Sequence, residues 1–224
     1  MVRSALNIDP SSILSPVIHL KYDPDTLALE ISKQIKSRLG VTNADIKKAL
    51  YHALDIQNQF TMDLYKKGSE ILNDQNPDEP IVIVTGRPYN LYDDRLNLRL
   101  GQNLAKIGVR ALPMDFIDVS SVDLSDFPSM YWGLGAQILR TAKTINEHPN
   151  YFGLHLTNFS CGADSFIEHF YKHIMGDKAY LILELDEHSA VAGVMTRLEA
   201  YKNVIENTMQ KFQSDLKPHL MIAN

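Results

Sequence analysis

Residues 81–86, Ile81-Val82-Ile83-Val84-Thr85-Gly86, decide the fold class of this chain. The first four of them are all β-branched, so that both faces of a strand formed here would be apolar. This is expected for a strand that is buried on both faces of a sheet. Strands of this kind occur in parallel sheets that carry helices on both sides. The stretch therefore predicts the first strand of a parallel sheet.

Strand and helix patterns alternate after this stretch. Further strands are predicted within Val109 to Ile117, Phe152 to Phe159 and Ala179 to Leu185, and apolar residues recur at helical spacing between them. Such alternation is typical of right-handed βαβ crossovers. We therefore predict an α/β fold with a doubly wound, flavodoxin-like parallel sheet of about four strands in the order 2-1-3-4.

Two helical patterns precede the sheet, from about Asp25 to Arg38 and from Asn43 to Leu72. The segment Asn73 to Pro80 that follows them is polar and contains proline, as a linker does. We therefore predict an N-terminal extension and helical subdomain over residues 1–76, and a parallel α/β domain over residues 77–224.

The composition excludes several function classes. The net charge is −5, with 22 basic and 27 acidic residues, and no basic run indicates nucleic-acid binding. No signal peptide pattern is visible, and the apolar stretches fall short of the ~18 residues that a membrane span needs. The single cysteine excludes an internal disulfide and is typical of a reducing compartment. We expect a cytoplasmic chain without a nucleic-acid or membrane partner.

The predicted sheet brings three loops to one edge. In doubly wound sheets, ligands bind beyond the carboxyl ends of the strands, where neighbouring connections leave to opposite faces. With the order 2-1-3-4, this crevice lies between the first and third strands. The loops that reach it are TGRPYN (residues 85–90), NFSCGAD (residues 158–164) and ELDEHS (residues 184–189). An arginine, two tyrosines, the only cysteine and an acidic–histidine cluster should therefore share one rim.

Cys161 is the central candidate on this rim. Free cysteines are most often small buried apolar residues. Here, however, Gly162 permits close backbone approach or a positive φ, and the N-terminus of the helix that follows favours a thiolate. A thiolate in this position can bind a soft metal centre or act as a nucleophile, and the residues alone leave both open.

Arg87 and His188 each have a functional and a structural interpretation. The guanidinium of Arg87 can hold a phosphate or carboxylate, or it can form an ion pair with a nearby carboxylate. The carboxylates considered as its partners are Asp93, Asp94 and Asp186. His188 can act as a base on the rim, or its segment can begin the last helix.

The rim segments resemble a known family. The motifs are GRPYNL (86–91), LTNFSCGADSF (156–166) and ELDEHSAVAGVMTRLEA (184–200). They are similar to the uncharacterised domain found beside the ATPase modules of 2-hydroxyacyl-CoA dehydratase activators, which is itself akin to the dehydratase iron–sulfur subunits. The resemblance covers most of the chain. It departs at Ala163, where the family usually has proline, and at Val191, where it usually has aspartate.

The resemblance implies a cofactor and a role. It implies a [4Fe–4S] cluster in the complete protein, with Cys161 as a metal ligand. The other expected cofactor-binding residues lie on the two central loops: Gly86, Arg87, Tyr89, Ser160 and Gly162. It further implies a protein that supports electron transfer to an acyl-CoA. Its partners would be neighbouring domains of a longer chain or an ATPase activator, with acyl-CoA as a ligand.

The number of cysteines limits what this chain does alone. An iron–sulfur cluster needs about four ligands, usually thiolates, and the chain has one cysteine. The chain is therefore part of a longer polypeptide, or it has lost the cluster, or a partner completes it, and we favour the first. No G-x-x-x-x-G-K-S/T loop indicates ATP binding. We expect this portion alone to be catalytically silent.

Two other functions stay open. One is a cysteine-dependent hydrolase or transferase, with Cys161 as nucleophile, His188 as base and Asp186 or Glu187 orienting it; Phe159, two residues before the cysteine, counts against it. The other is a non-catalytic interaction module, in which the two N-terminal helices dock onto a neighbouring domain or form a homodimer.

Overall fold

The chain divides into two compact units, Met1–Asp63 and Leu64–Asn224. The computed structural model describes Ala5, residues 8–158 and residues 161–220. The division lies inside a long helix, whereas the boundary predicted from the sequence lies in the linker after that helix. The predicted domain bounds therefore stay a prediction.

The first unit is built from helices. A short 3-10 turn, Pro10–Ser12, is followed by helix α1, Pro24–Leu39, and by the start of helix α2, Asn43–Asn73. The carboxylate of Asp23 begins α1 by accepting the backbone N–H groups of Asp25 and Thr26 at 3.1 and 3.0 Å. Gly40 ends it in the left-handed conformation, at φ +65°. These are ordinary capping devices that fix the ends of the helix.

The second unit alternates strands and helices, as predicted. Its strands are β1 Ile81–Gly86, β2 Ala111–Pro113, β3 Tyr151–Asn158 and β4 Tyr180–Leu185. Its helices are α3 Pro88–Tyr92, α4 Leu100–Lys106, α5 Gly133–Glu147, α6 Gly162–Met175 and α7 Val191–Leu220, and a 3-10 turn spans Met114–Phe116. Among the described residues, no helix has both the length and the apolar character needed to cross a membrane.

The strand order is β2-β1-β3-β4, and every pairing is parallel. The predicted α/β class and the order 2-1-3-4 are both confirmed. In the central pair, Thr85 lies beside His155 and Gly86 beside Leu156. The carboxyl ends of β1 and β3 therefore lie side by side, which is where a doubly wound sheet binds its ligands.

The two faces of the sheet have different neighbours. Val82, Val84 and Phe152 pack with residues of α4 and α7 on one face, which we call the apolar face. Ile81 and Ile83 pack with residues of α5 and α6 on the other face, which we call the mixed face. The chain leaves β1 toward the apolar face and leaves β3 toward the mixed face. The switch point therefore lies between these two strands.

Candidate functional site

An ion pair joins the two central loops at the carboxyl edge of the sheet. The Nε–H of Arg87, in the loop after β1, donates to Oδ1 of Asp164 at 2.7 Å. The other carboxylate oxygen of Asp164 accepts the hydroxyl of Thr157 at 3.0 Å. The side chain of Asp164 is 2% exposed and that of Arg87 is 25% exposed. The loops after β1 and β3 are thus fastened together, as the topology predicts.

Asp164 is a partner of Arg87 that was not predicted from the sequence. The ion pair considered for Arg87 is present, but with Asp164 in place of the three carboxylates named for it. The hydrogen bond to Asp164 raises the pKa of Arg87, and the charges of Asp164 and Cys161 add smaller effects in the same direction. The guanidinium therefore stays charged.

Cys161 immediately precedes α6 and is partly exposed. Its backbone N–H donates to the carbonyl of Asn158 at 3.1 Å. Its carbonyl accepts both the backbone N–H and the hydroxyl of Ser165, each at 2.9 Å. Its side chain makes no capping hydrogen bond to the helix. The backbone is thus held on both sides, whereas the thiol makes no hydrogen bond to the start of the helix.

The glycines of the two loops differ in what they permit. A Cβ atom on Gly86 would lie 2.6 Å from the carbonyl oxygen of Leu156, so β1 and β3 approach this closely only because residue 86 has no side chain. A Cβ atom on Gly162 would meet nothing within 4 Å, and φ at this position is not positive. The prediction that residue 162 is glycine to permit close backbone approach or a positive φ is therefore wrong. Ser160 lies outside the described residues.

The loop after β4 forms a self-contained turn. Oδ1 of Asp186 accepts the hydroxyl of Ser189 at 2.8 Å and the backbone N–H of His188 at 3.0 Å. The hydrogen bond from Ser189 is the main reason why the pKa of Asp186 is lowered. The side chain of His188 is 84% exposed and lies 3.6 Å from the carboxylate of Glu187. The turn leads into α7, in agreement with the structural interpretation of His188.

A cleft of about 450 Å³ opens at the same edge, beside the end of β4. Leu96, Leu98 and Leu185 contribute apolar surface, and Asn158 and Asp186 contribute polar groups. Leu96 and Leu98 lie in the turn that precedes α4, which begins at Leu100.

Two consecutive residues of this turn, Leu98 and Arg99, have positive φ angles of 53° and 57°. This conformation costs energy for residues other than glycine. A buried amide stabilises it, because Nδ2 of Asn103 donates to the carbonyl of Leu98 at 2.9 Å. The wall of the cleft is therefore held in a strained shape by an internal contact.

Exposed aromatic side chains surround the edge. The ring of Trp132, just before α5, lies 5.5 Å from Phe166 and 5.7 Å from Tyr131, with the rings steeply inclined. Other exposed large apolar side chains among the described residues lie in the segments that follow the strands or begin the next helices: Tyr89, Tyr92, Leu96 and Val191. Clusters of exposed apolar groups mark binding surfaces. The Tyr131-Trp132 pair before a predicted helix is the sequence signal that could have revealed them.

Polar residues continue below the rim on the mixed face. The hydroxyl of Thr85 lies 3.0 Å from Nδ1 of His155. His155 is fully buried, and its Nε2 has no hydrogen-bond partner among the described residues. Burial lowers the pKa of His155 to about 4, so the imidazole is neutral at physiological pH. These buried groups lie directly beneath the residues that hold Arg87.

The described residues do not fit a complete iron–sulfur cluster. No group of three His, Cys, Asp or Glu side chains within them could hold a metal ion. Asp164, the acidic residue nearest to Cys161 along the chain, is already engaged by Arg87 and Thr157. A cluster needs about four ligands. The described residues therefore offer one cysteine and no complete site.

Comparison with known families agrees with the predicted activator-related family. Residues 1–117, which are just over half of the chain, match the CoA enzyme activase uncharacterised domain (DUF2229). No curated protein and no solved structure matches the chain. Gly86, Arg87 and Tyr89 lie within the matched residues, whereas Cys161 lies beyond them. The chain belongs to the CoA enzyme activase uncharacterised domain family and is therefore activase-related.

Proposed function

We propose that this activase-related chain is part of a dehydratase-like iron–sulfur protein that supports electron transfer to an acyl-CoA in 2-hydroxyacyl-CoA dehydration. In this proposal, Cys161 supplies one ligand to a [4Fe–4S] cluster. The remaining ligands come from outside these 224 residues, in neighbouring domains of a longer chain or in a partner. The cluster would supply one-electron transfer.

The ion pair between Arg87 and Asp164 is the observation that carries the proposal. It holds the loop after β1 against the first turn of α6, so that Cys161 shares one edge with a charged guanidinium. Cys161 is partly exposed, as a residue that binds a group from outside must be. A cysteine sealed among aliphatic side chains would not support this role.

The residues of the rim have distinct parts in the proposal. Gly86 lets the two central strands close up to each other at the edge. Asp164 accepts a hydrogen bond from the Nε–H of Arg87. The other N–H groups of the partly exposed guanidinium can therefore contact a carboxylate or phosphate. Tyr89 is half exposed beside it. We propose that Gly86, Arg87, Tyr89, Ser160 and Gly162 line the cofactor site.

Metal content tests the proposal. The longest natural polypeptide that includes this sequence is prepared without oxygen, as wild type and as Cys161→Ala, and iron and sulfide are counted per chain. We expect the variant to lose iron and to change the electron paramagnetic resonance spectrum. The matched control is Ser165→Ala, which removes a hydroxyl bonded to the Cys161 carbonyl and should keep its iron. Equal iron in wild type and Cys161→Ala would overturn the ligand assignment.

The hydrolase alternative has less support. The side-chain contact described for His188 is with Glu187 on an exposed turn. A cysteine hydrolase requires its base within hydrogen-bond reach of the thiol. That alternative predicts a hydrolytic activity of this chain that alkylation of Cys161 abolishes.

A further inference from the structure

Lys178 lies in the turn between α6 and β4, where its amine holds the end of α5. Its Nζ donates to the carbonyl of Ile145 at 2.6 Å and to the carbonyl of His148. The centroid of the Phe152 ring is 5.9 Å from the same atom. Lys178 is only partly exposed, and it forms no ion pair with a carboxylate among the described residues. Its polar partners are therefore uncharged.

Lys143 of α5 provides a matched comparison. Its Nζ also donates to a carbonyl, that of Asp123 at 2.9 Å, and also lies near a phenyl ring, with the centroid of Phe127 5.6 Å away. Its side chain is only 21% exposed. The difference is a carboxylate, because Nζ of Lys143 lies 2.6 Å from Oδ1 of Asp126. One amine therefore has a counterion, whereas the other contacts none in the part of the chain that the structure describes.

The missing counterion favours the neutral form of the Lys178 amine. Burial disfavours an ammonium ion that no negative charge compensates, and it lowers the pKa of Lys178 from 10.5 to about 8. At about pH 7.5, an amine with such a pKa is neutral in about one molecule in four, whereas an amine of ordinary pKa is neutral in about one in a thousand. Only the neutral amine has the lone pair that attacks a carbonyl carbon.

The hydrogen bonds of Lys178 leave the lone pair of the neutral amine free. A neutral amine has two N–H groups, which can donate to the carbonyls of Ile145 and His148. The lone pair then occupies the remaining corner of the tetrahedral nitrogen, away from both carbonyls. Lysines that are desolvated in this way act as nucleophiles toward carbonyl compounds. The two contacts therefore position the amine without engaging the electrons that would react.

We propose that Lys178 is a modification site that accepts acyl groups from thioesters of coenzyme A. Its Nζ attacks the thioester carbonyl, an amide bond forms and the carbon–sulfur bond breaks. The thiolate of coenzyme A leaves and takes up the proton that the amine loses, so the reaction needs no oxidant or reductant. The identity of the acyl donor rests on the proposed function, which brings an acyl-CoA to this protein. The nucleophile itself needs neither Cys161 nor a cluster.

Acetylation of the 224-residue chain by acetyl-CoA tests the proposal. The folded chain is incubated with acetyl-CoA, and mass spectrometry follows the rate at each lysine, with a chain unfolded in urea as the reference. At about pH 7.5 we expect Lys178 to react about tenfold faster than Lys143 in the folded chain, because more of its amine is neutral. In urea the two rates should be similar. A folded chain in which Lys178 reacts no faster than Lys143 would overturn the proposal.

Asp126→Asn tests whether the counterion makes the difference. This variant leaves Lys143 beside its carbonyl and phenyl ring but removes the carboxylate, so the acetylation rate of Lys143 should rise severalfold. The control is Asp177→Asn, which replaces an exposed carboxylate next to Lys178 in the sequence and should leave both rates unchanged. An unchanged rate of Lys143 in Asp126→Asn would contradict the proposal. Because no cluster takes part, these rates are independent of the iron content that tests Cys161.

Discussion

The two faces of the sheet are equally buried but differ in chemistry. On the apolar face, Phe152, Leu154 and Leu156 of β3 pack among other apolar residues from α4 and α7. On the mixed face, the intervening residues His155 and Thr157 of the same strand are buried but polar. Both are close to the carboxyl end of the strand. One strand therefore serves a conventional core on one side and a polar cluster on the other.

The buried polar groups of the mixed face reduce the stability of the fold. Burying a polar or charged group is unfavourable unless it is hydrogen-bonded or paired. Thr157 and Arg87 satisfy Asp164, but Nε2 of His155 has no partner among the described residues. Such costs concentrate at functional edges, where geometry matters more than stability. We therefore expect substitutions on the mixed face to affect the rim, and substitutions on the apolar face to affect packing alone.

The largest effect is expected from Arg87→Met. Without the guanidinium, the buried carboxylate of Asp164 keeps only its hydrogen bond from Thr157. Breaking a buried ion pair costs up to several kcal/mol, and because Arg87 is partly exposed we expect the low end, about 3 kcal/mol. Urea unfolding measures this loss. Arg95→Met, an exposed arginine at the same edge, should change stability by about 0.5 kcal/mol or less. Equal losses in both variants would mean that the ion pair does not hold the edge.

A smaller loss is expected from Gly153→Ala on the mixed face. The added Cβ atom would lie 2.2 Å from the hydroxyl oxygen of Tyr171, which is fully buried. Such overpacking costs about 1–3 kcal/mol. Adding Tyr171→Phe removes the clashing oxygen and should recover much of the loss in thermal unfolding.

Gly101→Ala is the matched control for that substitution. Gly101 is in α4, and a Cβ atom there meets nothing within 4 Å. Alanine should stabilise this helix by up to about 1 kcal/mol. A loss of stability at Gly101, or no rescue by Tyr171→Phe, would contradict the packing described for the mixed face.

His155 predicts a dependence of stability on pH. Burial lowers its pKa from 6.5 to about 4 in the folded chain, so the unfolded chain binds the proton first. Its contribution to stability is therefore lost as the pH falls from about 6.5 toward 4, at up to about 1.4 kcal/mol per pH unit.

The double variant His155→Leu with Thr85→Val isolates this contribution, because it removes the imidazole without leaving the Thr85 hydroxyl unpaired. Its unfolding free energy should fall less steeply with acid than that of the wild type. The control His169→Leu replaces an exposed histidine of α6 and should keep the wild-type slope. Identical slopes in all three proteins would remove His155 as the acid-sensitive group.

The smallest effect concerns the starts of the helices that cover the two faces. The first turn of α6 contains Asp164, whereas the first turn of α7 contains no acidic residue. Val191 begins α7 and is exposed. Val191→Asp should stabilise the chain by about 0.5 kcal/mol through the helix dipole, and Val191→Lys should destabilise it similarly. Thermal unfolding at low salt compares the stability of the two variants. Equal stability of Val191→Asp and Val191→Lys would contradict this prediction.

Much of the fold could be predicted from sequence because its signals are local. The β-branched run Ile81 to Val84 identified a strand buried on both faces, and the alternation with helices gave the parallel order, which is confirmed. The turn at Leu98 and Arg99 was missed because its left-handed residues are not glycines and are stabilised by Asn103, which follows them in the next helix. Side-chain support of this kind leaves no periodic pattern.

Less of the site could be predicted, because it depends on contacts between distant residues. Topology alone predicted that the loops carrying Arg87 and Cys161 reach the same edge. The choice of Asp164 over nearer carboxylates depends on the direction of α6, which brings residues 77 positions apart into contact. His155 and Thr157 did give a signal, since polar residues alternate with apolar ones in a strand expected to be buried on both faces. That alternation marks the mixed face.

Alkylation of Cys161 tests the central claim most directly. The longest natural polypeptide containing this sequence is treated with iodoacetamide under anaerobic conditions, before and after its iron is removed by chelation. Mass spectrometry then follows the peptide that contains Cys161. If this thiolate is a cluster ligand, it should be protected in the iron-loaded protein and modified rapidly after iron removal. Equal rates of modification in both states would contradict the assignment.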